Sequence, residues 1–447
     1  MQGNNYDLTE KRFYYDITSI GIGATKRLYF DSTAATGHTY IDEESNDLLR
    51  ISVGANEVMK LDANSRISLG NNDSGGDSSN TIFGYLAGDK IASGGVRNTL
   101  FGSEAGAQAT YGITTGDDNT AVGAGAVGGS AAAHITGANN TGIGSRVMWD
   151  LQGDASNNTG LGMNALKFLT TGSDNTALGT GALEELVTGS RNTAVGTWAL
   201  GDMQGGGTSY GSTDNVTLGY NAAGGTWADQ NCSNLVVIGS GALAGALEGD
   251  GCDGTVAIGK SAGAAITSAQ NSTIIGFQAG DENQVGDSNT VIGYNAWSNS
   301  GNFQSDDNVF VGSNSGNGSW VTAASSKNTA IGANSMKGAM NASHDNTAVG
   351  YNALLNIGAA AEQNTAVGSL ALGVGAVTGN GNTALGYNTG YDIVAGHSNV
   401  MVGASAAANF TTNAQNVVIG NLAFDAADAG EDMNVVIGYN AGGAINH

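Results

Sequence analysis

From Gly84 to Gly438 the chain repeats one phrase twenty times: Asn, then Thr or Val, a small or apolar residue, an aliphatic, then Gly. The repeat glycines include Gly84, Gly123, Gly196, Gly293, Gly350, Gly386 and Gly438. The first and last stand 354 residues apart over nineteen steps, about 18.6 residues each. A period in this range marks a solenoid, in which each coil packs on the last and none is stable alone. The chain is therefore read as all-β, an elongated parallel β-roll or β-solenoid of about twenty coils.

Aligning the coils on the repeat glycine turns the sequence into columns. The residue before Gly is aliphatic or Phe in all twenty, and the residue three before it is Thr in thirteen and Val in seven. Two apart on a short strand, these side chains share a face, and branching at Cβ suits a pleated strand. That face is expected to be the coil interior. The residue between them, two before Gly, should then point outward. It is apolar in seventeen coils, the exceptions being Gly142, Gly160 and Thr217. A strand apolar on both faces is covered on both faces, so this column is read as an interface with another copy of the chain. Its bulkiest members, Ile82, Leu100, Ile274, Val291, Phe310 and Met401, argue against small residues merely filling a tight turn.

Asn stands four before Gly in seventeen coils, with Leu235, Thr255 and Ser272 as the consecutive exceptions. Asn caps turns with its amide, and amides stacked at strand spacing can form a ladder. Three after Gly, sixteen coils carry Ala, so backbones must approach closely there. Gly-Tyr-Asn-Ala at 350–353 and 438–441 is read as a second strand. Proline is absent, where ordinary usage of roughly 5% predicts about twenty. Continuous ladders need every backbone N–H, and each Pro removes one.

Net charge is −24, which makes nucleic acid and anionic membrane poor partners. No run of eighteen apolar residues predicts membrane insertion. The first 66 residues hold seven basic and ten acidic residues; the rest hold eight and 29. That shift, with the change in pattern, divides the chain into a β-rich attachment or trimerisation region at 1–78, the repeat shaft at 79–442 and a short tail at 443–447. Within the first region, Arg27-Leu28-Tyr29-Phe30, Thr39-Tyr40-Ile41, Leu49 to Val53, Val58 to Leu61 and Ile67 to Leu69 alternate as strands of a small β unit. No basic-then-apolar leader opens the chain, so the expectation is an intracellular protein or one released by lysis.

No catalytic constellation is legible, so the chain is read as a non-enzyme without a cofactor. The five His (His38, His134, His344, His397, His447) fall in different coil positions and share no metal-ligand spacing. Acids gather in turns, at Asp117-Asp118, Asp174, Asp214, Asp306-Asp307 and Asp345. Oxygen-rich turns can hold calcium, but the calcium-binding nonapeptide does not recur, and solvated acidic turns are the simpler reading. Ice binding needs exposed Thr arrays, and the Thr column is expected to be buried with the aliphatics.

Asn-Thr-Ala-Val-Gly at 119–123, 192–196, 346–350 and 364–368 resembles the head repeat of trimeric autotransporter adhesins of the YadA type. The longer phrase with Gly-Tyr-Asn-Ala-Leu and Thr-Thr-Gly-Ser at 170–173 resembles coils of bacteriophage tail fibres. The resemblance implies a left-handed, homotrimeric roll. A virion fibre is favoured over a bacterial cell-surface adhesin or filament subunit, since neither a signal peptide nor a C-terminal barrel is evident. An ice- or calcium-binding solenoid is the further alternative. A fibre implies a tail or baseplate protein at the N-terminal unit, a host surface glycan or receptor at the outer loops, and a tip protein at the other end. It also implies localisation on the virion, extracellular after lysis. Tyr210, Trp227 and Trp320 lie in long connections where rings can stack on sugars or shield the turn beneath them.

Cys232 and Cys252 each lie seven residues before a repeat glycine, Gly239 and Gly259. They should be vertical neighbours, at a strand spacing of roughly 4.8 Å that falls within the Cα range of a disulfide. The spacing leaves the bond itself open.

Overall fold

A computed structural model describes residues 79–443 except 92–93, 108–110, 130–132, 202–210, 226–230, 246–251, 283, 299–300, 302, 319–322 and 427–429, together with five earlier strands. Those five, β1 (Arg27–Tyr29), β2 (Tyr40–Ser45), β3 (Leu48–Val53), β4 (Asn56–Leu61) and β5 (Ile67–Leu69), form an antiparallel sheet in sequence order. Its register sets Leu28 opposite Ile41, Ile41 opposite Ile51, Ile51 opposite Met59 and Met59 opposite Leu69. Apolar residues thus line up across all five strands, as the alternation in the sequence requires.

Beyond them, twenty three-residue strands run from β6 (Thr81–Phe83) to β25 (Val435–Ile437), and no helix occurs among the described residues. Each strand pairs in parallel with the next, in perfect register: Thr347, Ala348 and Val349 stand on Thr365, Ala366 and Val367. Two backbone bonds recur at every step. The strand's first N–H donates to the carbonyl of the residue before the next strand, Asn in most coils, as in Thr120 to Asn140 at 2.8 Å. The repeat glycine donates back, as in Gly123 to the Phe101 carbonyl at 2.8 Å. At the usual spacing, nineteen such steps span about 90 Å.

The repeat glycine is fixed by close approach. Gly123 holds φ at 135°, and a Cβ there would run into the carbonyl of Gly144 in the next coil. After the glycine the chain enters a turn, not the second strand expected there. Residues two and four after the repeat glycine take left-handed backbone even when bulky, as at Asn352 (φ 55°) and Leu354 (φ 50°). Such a residue costs roughly 1–2 kcal/mol, which stacking on identical coils must offset.

The strand faces are reversed from the sequence expectation. Leu100, Ile274, Val291, Phe310 and Met401 are wholly buried inside the coil, and Ile82 packs against the same core. They fill the interior of one chain and cannot face a partner. The aliphatic before Gly points outward instead, with Phe83 57% and Leu385 48% exposed, and the Thr or Val column lies on that outer face. The period of two was right and its phase was wrong. In three coils with a large central residue, the residue four after Gly is glycine: Phe310 faces Gly316, Leu100 faces Gly106, and Ile274 faces Gly280. Where the centre is Ala348 or Ala366, that position carries Leu354 or Leu372, also buried.

Candidate functional site

The outer strand face runs through all twenty coils of the repeat. Its two columns, with the residue just after each glycine, make sixty positions, of which only Lys260 is charged. Aromatic side chains extend it: Tyr85, Tyr220, Tyr294, Tyr351, Tyr387 and Tyr439 are exposed. Rings stack from coil to coil, Phe83 on Phe101 at 5.1 Å and Phe277 on Tyr294 at 5.7 Å. A stripe about 90 Å long and one three-residue strand, ~10 Å, wide covers on the order of 900 Å². That exceeds the roughly 300–600 Å² patch of an ordinary monomer and matches the ~800 Å² each partner gives to a stable interface.

Inside each turn the Asn column forms the ladder that its spacing allows. Asn364 donates both its backbone N–H (3.0 Å) and its amide (3.2 Å) to Asn346 Oδ1. The same amide also reaches the Gly379 carbonyl at 2.9 Å. These amides are fully buried and satisfied, a structural role that fixes rung spacing. A second ladder, six before Gly, was missed. There the side chain accepts the backbone N–H of the preceding coil: Ser173 from Ser156 at 3.1 Å, Asp306 from Asp287 at 2.8 Å, and His344 Nδ1 from Ser326 at 3.1 Å. The signal was a column of short acceptors (Asp117, Ser156, Ser173, Ser190, Ser233, Asp253) that mixed residue types concealed.

This reassigns most of the acidic turns. Asp117 accepts from Val96 N–H at 2.9 Å, and Asp174 from the Asn157 amide at 3.1 Å. Arg97 clasps Asp118 with two bonds of 2.7 Å, and Arg191 clasps Asp214 at 2.6 and 2.8 Å. Each guanidinium, chiefly by its hydrogen bonds, holds its carboxyl below the usual carboxylate range. Both pairs join successive coils. Among the described residues, no three His, Cys, Asp or Glu side chains gather as a metal site.

Cys232 and Cys252 do stack, with the Cys252 N–H donating to Cys232 Sγ at 3.0 Å; both are buried free thiols. Tyr210, Trp227 and Trp320 lie outside the described residues.

The chain matches no protein-family model, no curated protein and no solved structure. The fold and this surface therefore define its class: a parallel β-solenoid with one long, uncharged strand face.

Proposed function

We propose that the chain is the shaft of a virion fibre, a bacteriophage tail fibre in type, and not an enzyme. Three copies associate along the outer strand face. The single observation that carries this reading is the outer aliphatic column, uninterrupted over twenty coils and half exposed in one chain. Burying such a stripe stabilises association by roughly 25 cal/mol per Å² before the costs of ordering. A count of three rests on the resemblance to trimeric adhesin heads, and so does a left-handed roll. In this reading the N-terminal unit docks on the particle, and the loops on the outside touch a host glycan or receptor.

Light scattering on the purified chain tests the reading. The wild type should have three times the chain mass, and Ile292→Asp with Leu385→Asp should reduce it to one. A monomeric wild type would refute assembly along this face. Once the chain proves trimeric, a glycan or whole-cell binding screen separates an adhesive fibre from a plain shaft.

One observation favours a second reading. The Thr column, expected inside, lies on the outer face, with Thr81, Thr99, Thr193 and Thr383 exposed. Hydroxyls and methyls repeating at ~4.8 Å on a flat sheet are what an ice-binding surface requires. Inhibition of ice recrystallisation by a monomeric wild type, lost in the two Asp variants, would establish it in place of the fibre.

A further inference from the structure

The Asn ladder has one interruption, the three consecutive coils carrying Leu235, Thr255 and Ser272. It is there that the two cysteines stand. Above the break, the Asn215 amide donates to the Cys232 carbonyl at 2.8 Å. One coil later Leu235 has no polar atom to offer, and the Cys252 carbonyl takes a longer local bond from the Thr255 N–H at 3.2 Å. The thiols sit in a column of small residues. Elsewhere in that column Ser performs the contact that sulfur performs here: Ser212 Oγ accepts from the Cys232 N–H at 3.1 Å and Ser305 Oγ from the Ser325 N–H at 3.0 Å. Packing and hydrogen bonding therefore do not call for sulfur. What sulfur adds is the capacity for a covalent bond between coils.

We propose that Cys232 and Cys252 form a redox-closed clip, a disulfide that ties two coils together where the amide ladder is broken. The oxidant is a small-molecule disulfide. A cysteine thiolate attacks it and expels one thiol, and the second cysteine then attacks the mixed disulfide and expels the other. The two cysteines lose two protons and two electrons, an S–S bond forms between coils, and the oxidant's own S–S bond is reduced to two thiols. In-register stacking at ~4.8 Å meets the Cα separation that the bond needs. Burial, with Cys232 alongside, pushes the Cys252 thiol well above the ordinary range. Closure therefore proceeds when the coils open transiently, and is slow.

The test uses the full chain, folded, incubated with oxidised glutathione and then unfolded with an alkylating agent. Mass spectrometry of the wild type should show loss of two hydrogens, no glutathione adduct, and a linked peptide pair containing Cys232 and Cys252. Amide exchange between residues 231 and 259 should slow on the order of tenfold or more. Cys232→Ser with Cys252→Ser should fold, since Ser already fills the column, and its exchange should not respond to the oxidant. Two thiols still open to alkylation, a lasting glutathione adduct, or a bond between chains on a non-reducing gel would each overturn the proposal.

Discussion

Exchanging volume inside one coil tests the reversed strand phase directly. Phe310 is fully buried, its ring 5.6 Å from that of Trp297 in the coil before it, and a Cβ on Gly316 would meet the Phe310 ring. Phe310→Ala should open a cavity and cost about 3–5 kcal/mol. Gly316→Leu alone should overpack the coil and cost about 1–3 kcal/mol. Together they rebuild the arrangement of Ala348 with Leu354, a pair the chain already uses. Backbone is no obstacle, because Gly316 (φ 65°) and Leu354 (φ 50°) share the left-handed region. The double variant should recover most of both losses, a coupling of roughly 3 kcal/mol or more, at the upper end for touching residues. Stability in a solenoid is summed from neighbours, so the readout must be local. Amide exchange over residues 290–335 should quicken roughly 150- to 4,000-fold in Phe310→Ala and return toward the wild type in the double variant. Additive losses would refute the interior assignment and return Phe310 to an outer face.

The ladders and ion pairs predict three further outcomes. Asn346→Ala removes the amide that donates to Asn328 Oδ1 and the Ala361 carbonyl, and the Oδ1 that accepts the Asn364 N–H, while Asn328 Oδ1 keeps the backbone N–H of residue 346; it should cost about 2–4 kcal/mol by local exchange. Asn346→Thr should cost less, because Thr255 Oγ1 already reaches the Ala269 carbonyl at 2.8 Å. Asp118 and Asp214 have depressed folded values, so their ion pairs contribute above the unfolded value of about 3.9. Their contribution is lost as pH falls through the folded values. Arg97→Gln with Arg191→Gln should therefore differ from wild type at pH 7 and converge with it in strong acid, followed by exchange over residues 96–119 and 190–215. Asp150 carries the opposite sign, raised by burial despite Lys167 nearby. Asp150→Asn should be neutral or slightly stabilising at neutral pH, with the gain vanishing as pH falls below both carboxyl values.

The period was legible because every coil solves the same backbone problem. Glycine at a close approach, Asn in a buried ladder and the absence of Pro each leave a column that no other fold would keep. The five N-terminal strands were legible from alternation, and the stacking of Cys232 on Cys252 from counting back to Gly239 and Gly259. The inside of the coil was not. Hydrophobicity cannot separate an interior from an exposed apolar stripe when both flank one short strand. The deciding signal was exchange of volume between positions, Phe310 with Gly316 against Ala366 with Leu372, which single columns do not show. The ladder of Ser, Asp and His side chains was hidden similarly, because the backbone N–H asks only for a short acceptor.

The outer face obeys a different rule from the interior. Interior positions vary widely between coils, from Gly142 to Phe310, because volume is shared between a coil and its neighbours, as where Leu372 and Met401 close on Gly390. The outer aliphatic column does not vary in this way. It never becomes polar across twenty coils, although in one chain it is partly open to water and a charge there would cost the coil little. Packing within one chain therefore does not account for its uniformity. Association of copies along this face, as proposed, would account for it, with each aliphatic rung meeting its own equivalent. The charged clasps Arg97–Asp118 and Arg191–Asp214 lie instead on the turns, where they remain exposed. The two outer strand columns, by contrast, carry no charged residue in any of the twenty coils.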